Sequence, residues 1–244
     1  MSTGTTPPGA KDEAAAARWV QHAFEEVAPK YDLLNHLLSF NIDVKWRRLV
    51  VSRLQPVLDL PNARILDLCC GTGDVLLDLQ RATKAVVIGA DFCRPMLAVA
   101  KRKIDQGHYP SLLFEGDAMQ LPLSDNSLDA VTIAFGFRNL SNYESGLREL
   151  HRVLKAGGTL AVLEFSHVQG RMMRALYGVY SRRILPTVGG LISGSTDAYK
   201  YLPESIKKFP TADELRQLIR SAGFPKVGYE YLSSGIAALH IATK

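Results

Sequence analysis

Cysteine is scarce in this chain: there are three in 244 residues, two of them adjacent at Cys69 and Cys70. That excludes a disulfide framework and leaves no zinc-ligand spacing, so a reducing, cytoplasmic setting and no resident metal are expected. No apolar run reaches membrane-spanning length. The opening MSTGTTPPGAKDE has no apolar signal core, and residues 1–13 read as a disordered leader. There is no internal repeat. No tyrosine has a lysine four residues later, which removes the usual acid/base pair of short-chain dehydrogenases. A net charge of +5 suits nucleic acid or an anionic lipid surface. However, the chain lacks both the Asp/Asn-Pro-Pro-Tyr/Phe motif that holds a flipped amino base and a separate basic module, so no nucleic-acid partner is expected.

What is present is 47% hydrophobic and 22% charged, which suits one large α/β domain over residues 14–244. A helical region at about 14–55 precedes an alternation of elements. Strands are expected at Arg64–Cys69, Ala85–Asp91, Ser111–Glu115, Ala130–Phe135 and Thr159–Phe165, with GIAALHIATK as a terminal strand. Helices are expected at Asp74–Arg81 and Pro95–Gln106, and after the capping boxes Ser141-x-x-Glu144 and Thr211-x-x-Glu214, with Lys155–Gly158 stopping the first of these. Strands alternating with helices imply a mostly parallel sheet covered on both faces. Residues 14–60 read as an N-terminal helical lid and 167–208 as an inserted lid.

The stretch LDLCCGTGD (66–74) leads from a buried strand into a helix. Gly71 and Gly73 lack a Cβ and let the backbone approach a ligand beyond the strand ends. Asp91 ends the second strand, where a carboxylate accepts both hydroxyls of a ribose. This much fits NAD and S-adenosylmethionine alike. The dinucleotide pattern needs a third small residue, where Leu76 stands. Asp74 also sits where a diphosphate would meet the helix N-terminus, and two anions there repel. A cationic sulfonium and ammonium are instead welcome among acids, so S-adenosylmethionine is the expected cofactor. Asp67 would orient the turn or meet the ammonium group, and Phe92 would flank the base. Asp117 and Ala118 would receive the adenine. Cys69 and Cys70 read as small core residues.

Two further segments, YDLLNHLLSFNIDVKWRR (31–48) and RVLKAGGTLAVLEFS (152–166), the second preceded by AFGFRNL, resemble the ubiquinone/menaquinone-biosynthesis C-methyltransferases. The likeness runs on through STDAYKYLPESIKKFP to SSGIAALH. It implies a class I, Rossmann-like methyltransferase with a seven-stranded sheet, and donor contacts at Thr72, Asp91, Asp117 and Ala118. It also implies carbon methylation of a polyprenylated quinol, with demethylmenaquinol ahead of a methoxy-polyprenyl-benzoquinol. The chain departs from the family at Ala134, where many relatives have Ser, at Asn41, and at Asp43, which replaces a His.

For that reaction Arg138 is expected to stabilise phenolate charge, and Tyr31, Asp32, Asn35 and Asp43 to hold or deprotonate the ring. Glu164 is expected only to brace the lid. The basic, Met- and Tyr-rich stretch 171–194 is expected to cover the substrate and to rest peripherally on anionic lipid. The sequence leaves the oligomeric state open, a homodimer among the options.

Overall fold

The chain is seen in a computed structural model that describes residues 4–181 and 196–244. The run ILDL forms β1 (Ile65–Leu68), buried at all positions. It can be so apolar because parallel neighbours flank it and helices cover both faces. Around it lie β2 (Val87–Asp91), β3 (Leu112–Glu115), β4 (Leu128–Ala134) and β5 (Leu154–Phe165), with β6 (Lys226–Leu232) and β7 (Ala237–Thr243) completing the sheet. The strand order is β3-β2-β1-β4-β5-β7-β6. β1 to β5 are parallel, whereas β7 runs antiparallel to both β5 and β6. The order reverses between β1 and β4, which is where a doubly wound sheet opens a crevice at its carboxyl edge.

The core helices are α4 (Asp74–Ala82), α5 (Arg94–Gln106), α6 (Tyr143–Val153) and α9 (Ala212–Ser221). Leu66, Leu68, Ile133 and Leu147 are fully buried among them, each contributing roughly 1.5–3 kcal/mol of transfer free energy. Over the carboxyl edge lie α1 (Glu13–Val27) and α2 (Tyr31–Ser39), with α7 (Arg171–Val179) and α8 (Thr196–Lys208) beside them. Meanwhile α3 (Ile42–Leu58) packs along a face of the sheet, its Val50, Leu54 and Leu58 in one buried cluster with Ile65 and Leu79. α2 is anchored by Leu34, which is completely buried in a cluster with Val27, Ala28, Cys93 and Met96.

Some local expectations need correction. The residues after Ser141 start their helix one step later: Asn142 is the cap, its side chain accepting from the Ser145 amide. Thr211 and Glu214 do form a reciprocal capping box. α6 ends at Val153, and Lys155–Gly158 lies within β5 as an irregularity, the register with β4 shifting between Leu128 and Ala130. The seventh strand, β6, was not placed from sequence. As an edge strand it buries only Val227 and carries Tyr, Glu and Lys rather than an apolar run. Finally, the described part of the leader is not disordered: Thr5 is buried and its amide donates to the Leu140 carbonyl at 2.8 Å.

Two non-glycine residues at the carboxyl edge, Cys69 after β1 and Phe135 after β4, have left-handed backbones, with φ of 55° and 59°. Such conformations persist only where the surroundings enforce them. Gly136 enables the arrangement, because a Cβ there would lie 2.3 Å from the Cys69 Cβ. Gly136→Ala is therefore expected to cost about 1–3 kcal/mol through overpacking, read as a lowered midpoint in urea. An unchanged midpoint would show that the two turns can part freely.

Candidate active site

A cavity of about 260 Å³ opens at the crevice, between the carboxyl ends of β1, β2 and β4 and the helix α1. Gly71, Asp91, Phe92, Asp117 and Ala118 all line it, so five of the eight expected donor contacts are brought together. Asp91 is held still by its own turn. One of its oxygens accepts the Gly71 amide at 2.8 Å and the other the Cys93 amide at 2.9 Å. Burial raises its pKa, with the amides of Cys93 and Gly71 pulling the other way. Each oxygen keeps a lone pair for a further donor, the need of a vicinal diol. A Cβ added at Gly71 would meet nothing within 4 Å and would project into open space. Two carboxylates and a glycine turn in one concave wall fit a cationic nucleoside.

The other three expected contacts, Asp67, Thr72 and Gly73, do not line the cavity. Asp67 lies beneath the turn, almost wholly buried, accepting a 2.6 Å hydrogen bond from the Thr132 hydroxyl. Its partners are on β4 and α4, and it does not line the cavity. Burial lifts its pKa to about 7 against the pull of Thr132 and the Leu76 amide. Gly73, at φ 84°, caps α4 and packs close to Ala100. Thr72 points away and donates to Asp32 of α2 at 2.5 Å. The reason is a belt of charges linking the overlying helices to the core. Lys103 on α5 pairs with Asp32 at 2.6 Å and with Asp74 at 2.7 Å, while Arg47 approaches Asp74 and Asp78 at 3.5 Å. Asp74 is thus neutralised by Lys103 outside the cavity. Its expected repulsion of a diphosphate does not arise there, and the case against NAD rests instead on Leu76, which stands where the dinucleotide pattern needs a third small residue.

A second, apolar cavity of about 390 Å³ adjoins the first, and Phe24, Tyr31 and Phe135 line both. Trp46, Phe135 and Phe165 contribute a mutually packed aromatic wall, with ring centroids 4.7–6.5 Å apart. Arg138, on the 3-10 turn Phe137–Asn139, reaches this cavity although it is only 5% exposed. Its Nη1 donates to Glu164 Oε1 at 2.8 Å, its backbone amide donates to Oε2 at 3.1 Å, and its Nε has no partner. Burial is the strongest single influence and works against the charge, but Glu164, Tyr31 and Tyr201 together outweigh it and raise the guanidinium pKa. Glu164 therefore does more than brace a lid: it sets where Arg138 stands.

Tyr31 sits at the junction of the cavities. Burial raises its pKa, only partly offset by Asn35 and Arg138, which favours the protonated hydroxyl. Asp43 lines the apolar cavity, but the reading of it as a proton acceptor is not upheld. It is bonded by Ser39, by Arg47 and by His36 Nδ1 at 3.0 Å. Burial alone would raise its pKa; these partners together hold it below the ordinary carboxylate value. Sequence reasoning missed His36, which lies seven residues before Asp43 on the preceding helix and meets it only because the chain turns at Phe40 and Asn41. It also missed Gln21 on α1, which donates to the Phe92 carbonyl at 3.2 Å, and Asn139, which lines the first cavity.

Because Asp67 titrates near 7 in the fold against 3.8 when free, the native chain holds a proton between those values that the unfolded chain has released. Stability is thereby lost as pH rises through that window. Asp67→Asn abolishes this loss, so its thermal midpoint relative to the parent is expected to climb between about pH 4 and about pH 7 and to level off above. A flat difference would contradict the buried, protonated acid.

Residues 10–244 match the ubiE/COQ5 methyltransferase family. A demethylmenaquinone methyltransferase of Thermus thermophilus is 50% identical over 222 residues, covering 91% of this chain and 99% of that protein. One of Deinococcus radiodurans is 40% identical with both chains fully covered. Among solved structures, a SAM-dependent methyltransferase of Thermotoga maritima superposes with a TM-score of 0.60 at 20% identity, covering 91% of this chain and 98% of that one. That likeness establishes the class I, Rossmann-like methyltransferase fold. With its acidic and apolar cavities side by side at the carboxyl edge of that fold, the chain belongs to the ubiE/COQ5 methyltransferase family.

Proposed function

We propose that this protein methylates a ring carbon of demethylmenaquinol, the last step in making menaquinone, with S-adenosylmethionine as donor. The observation that carries the reading is the meeting of two unlike cavities at Tyr31. One is walled by Asp91 and Asp117, the other by aromatic rings around one buried arginine. When bound, S-adenosylmethionine supplies an activated methyl group on a cationic sulfur. The names of the relatives in Thermus and Deinococcus support the head group.

The chain's own residues have three tasks. Asp91, fixed by two backbone amides, receives ribose hydroxyls; Asp117 and Ala118 receive the adenine edge, and Phe92 flanks it. Trp46, Phe135 and Phe165 hold the quinol ring edge-on and exclude water from it. Arg138 then makes the ring reactive. A hydroquinone carbon becomes a nucleophile as the phenolic proton passes to solvent at the cavity mouth and negative charge spreads into the ring. Once the carbon has gained the methyl group, its own proton returns to the phenolate oxygen and restores the aromatic hydroquinone. A fixed cation beside that oxygen lowers a phenol pKa of about 10 without taking the proton itself. Tyr31 orients the ring between the cavities, so that the carbon and the methyl group meet in line.

The reading extends to how so apolar a substrate arrives. At the mouth of the cavity, Phe40 and Leu176 line it yet are 74% and 61% exposed, with Met172 alongside at 76%. Arg171 and Arg174 lie on the same helix, α7, both exposed; Arg182 and Arg183 fall outside the described residues. An apolar rim with cations beside it suits an anionic bilayer surface from which a long-tailed quinol is drawn. None of the described helices is long and apolar enough to cross a membrane.

Arg138→Lys and the paired change Arg138→Met with Glu164→Gln avoid leaving Glu164 buried without a partner charge. The paired variant is expected to keep donor affinity, measured by calorimetry, while kcat falls by about a hundredfold or more, the scale of one lost oxyanion donor. Arg138→Lys should fall between. Lost donor affinity or an unchanged rate would defeat the assignment. For the membrane contact, flotation with phosphatidylglycerol vesicles should retain the parent and lose Arg171→Glu/Arg174→Glu. Equal partitioning of the two would contradict it.

A further inference from the structure

The segment Gly4–Pro7, the part of the leader nearest the site, lies against the wall of both cavities. Gly4 passes so close to the backbone that a Cβ there would be 1.9 Å from the Ser141 carbonyl oxygen. The Thr5 amide donates to the Leu140 carbonyl at 2.8 Å, and its side chain is buried. Lys208, at the end of α8, donates to the Thr6 carbonyl and hydroxyl, both at 3.2 Å. Pro7 is buried too. Such a seat is specific, since only glycine clears Ser141.

The side chain of Thr5 begins a relay. Its hydroxyl shares a 2.5 Å hydrogen bond with the Tyr201 hydroxyl, which in turn donates to the Asn139 Oδ1 at 3.1 Å. Because Tyr201 spends its one proton on Asn139, Thr5 is the donor in the first bond. Tyr201, on α8, lines the apolar cavity, whereas Asn139 lines the acidic one and adjoins Arg138. Tyr201 also packs on Trp19 of α1, with centroids 4.9 Å apart. Burial raises its phenol pKa, so this hydroxyl keeps the proton the relay needs.

We propose that Gly4–Thr6 is a strap that fastens α8 over the quinol cavity, and that Thr5 and Tyr201 are positioning residues for the quinol. They act through the roof of the apolar cavity, since neither lines the donor cavity. The inference rests on the quinol reading of that cavity for its kinetics, but not for its structural half.

The test compares the full chain with Thr5→Val, which keeps the shape and loses the donor, and with Thr5→Ser, which restores it. Loss of one such bond is worth up to about a tenfold change in an equilibrium constant. Thr5→Val is expected to raise the KM for a short-chain demethylmenaquinol about three- to tenfold, with kcat and calorimetric donor affinity within a factor of about two. Thr5→Ser should return the KM to the parent value. Hydrogen exchange, read without substrate, should show faster amide exchange at Ile206–Phe209 in Thr5→Val than in the parent. A chain lacking residues 2–6 should show both effects more strongly. The strap is overturned if exchange at Ile206–Phe209 is unchanged. Its positioning role is overturned if KM stays put, or if donor affinity falls in step with it. Should the parent itself fail to methylate the quinol while exchange still rises, the strap stands and the substrate reading falls.

Discussion

Two charges are taken out of water where β4 and β5 end, at Arg138 and Glu164, and the layout of the site depends on their pairing. A buried pair of this kind contributes little net stability, because desolvation cancels most of its attraction. Breaking it by removing one partner costs about 3–5 kcal/mol. Geometry is what the pair provides. Glu164 takes the Arg138 guanidinium and the Arg138 amide together, so side chain and turn are fixed as one unit. The cation also stacks on Phe165, with the guanidinium carbon 5.3 Å from the ring centroid. A guanidinium anchored on one side in this way leaves its remaining donor capacity directed by the fold and not by solvent, which is what stabilising a developing phenolate requires.

From that pair outward, the two cavities form one device. The acidic cavity is built by strand ends and is rigid, because Asp91 is tied to its own glycine turn. The apolar cavity is built by helices laid over the sheet, and it owes its position to the charged belt of Asp32, Lys103, Asp74 and Arg47. Thr72 joins the belt and couples the glycine turn to α2, the helix that carries Tyr31. The walls of the two cavities are therefore joined by one continuous set of contacts. Salt bridges of this half-exposed kind are weak individually and gain their effect as a network.

The parts of this site that sequence disclosed are those fixed by local rules. A buried apolar strand followed by glycines places Gly71, and acids at the next two strand ends place Asp91 and Asp117. The parts it misjudged depend on partners distant in the chain. Thr72 and Asp74 stand at a helix N-terminus facing either a ligand or a lid, and only the folded positions of Asp32 and Lys103 decide which. Asp43 was expected to hold or deprotonate the ring, and its partners His36 and Arg47, one of them on another helix, decide otherwise. The leader, rich in Thr, Pro and Gly, has the composition of disorder. What admits it is a missing Cβ at Gly4 against Ser141, and what holds it are bonds that join Thr5 and Thr6 to Leu140, Tyr201 and Lys208, all distant in the chain. β6 escaped notice because an edge strand lacks the apolar run that marks its neighbours.

The central claim is that this pair of cavities brings a quinol carbon against an activated methyl group. Incubating the chain with methyl-labelled S-adenosylmethionine and reduced short-chain demethylmenaquinol tests it most directly, the product being analysed by mass spectrometry. The account predicts label on the ring carbon, with the oxidised quinone inert because it has no phenolic proton to lose. Label on oxygen, or transfer only to a methoxy-polyprenyl-benzoquinol, would contradict it.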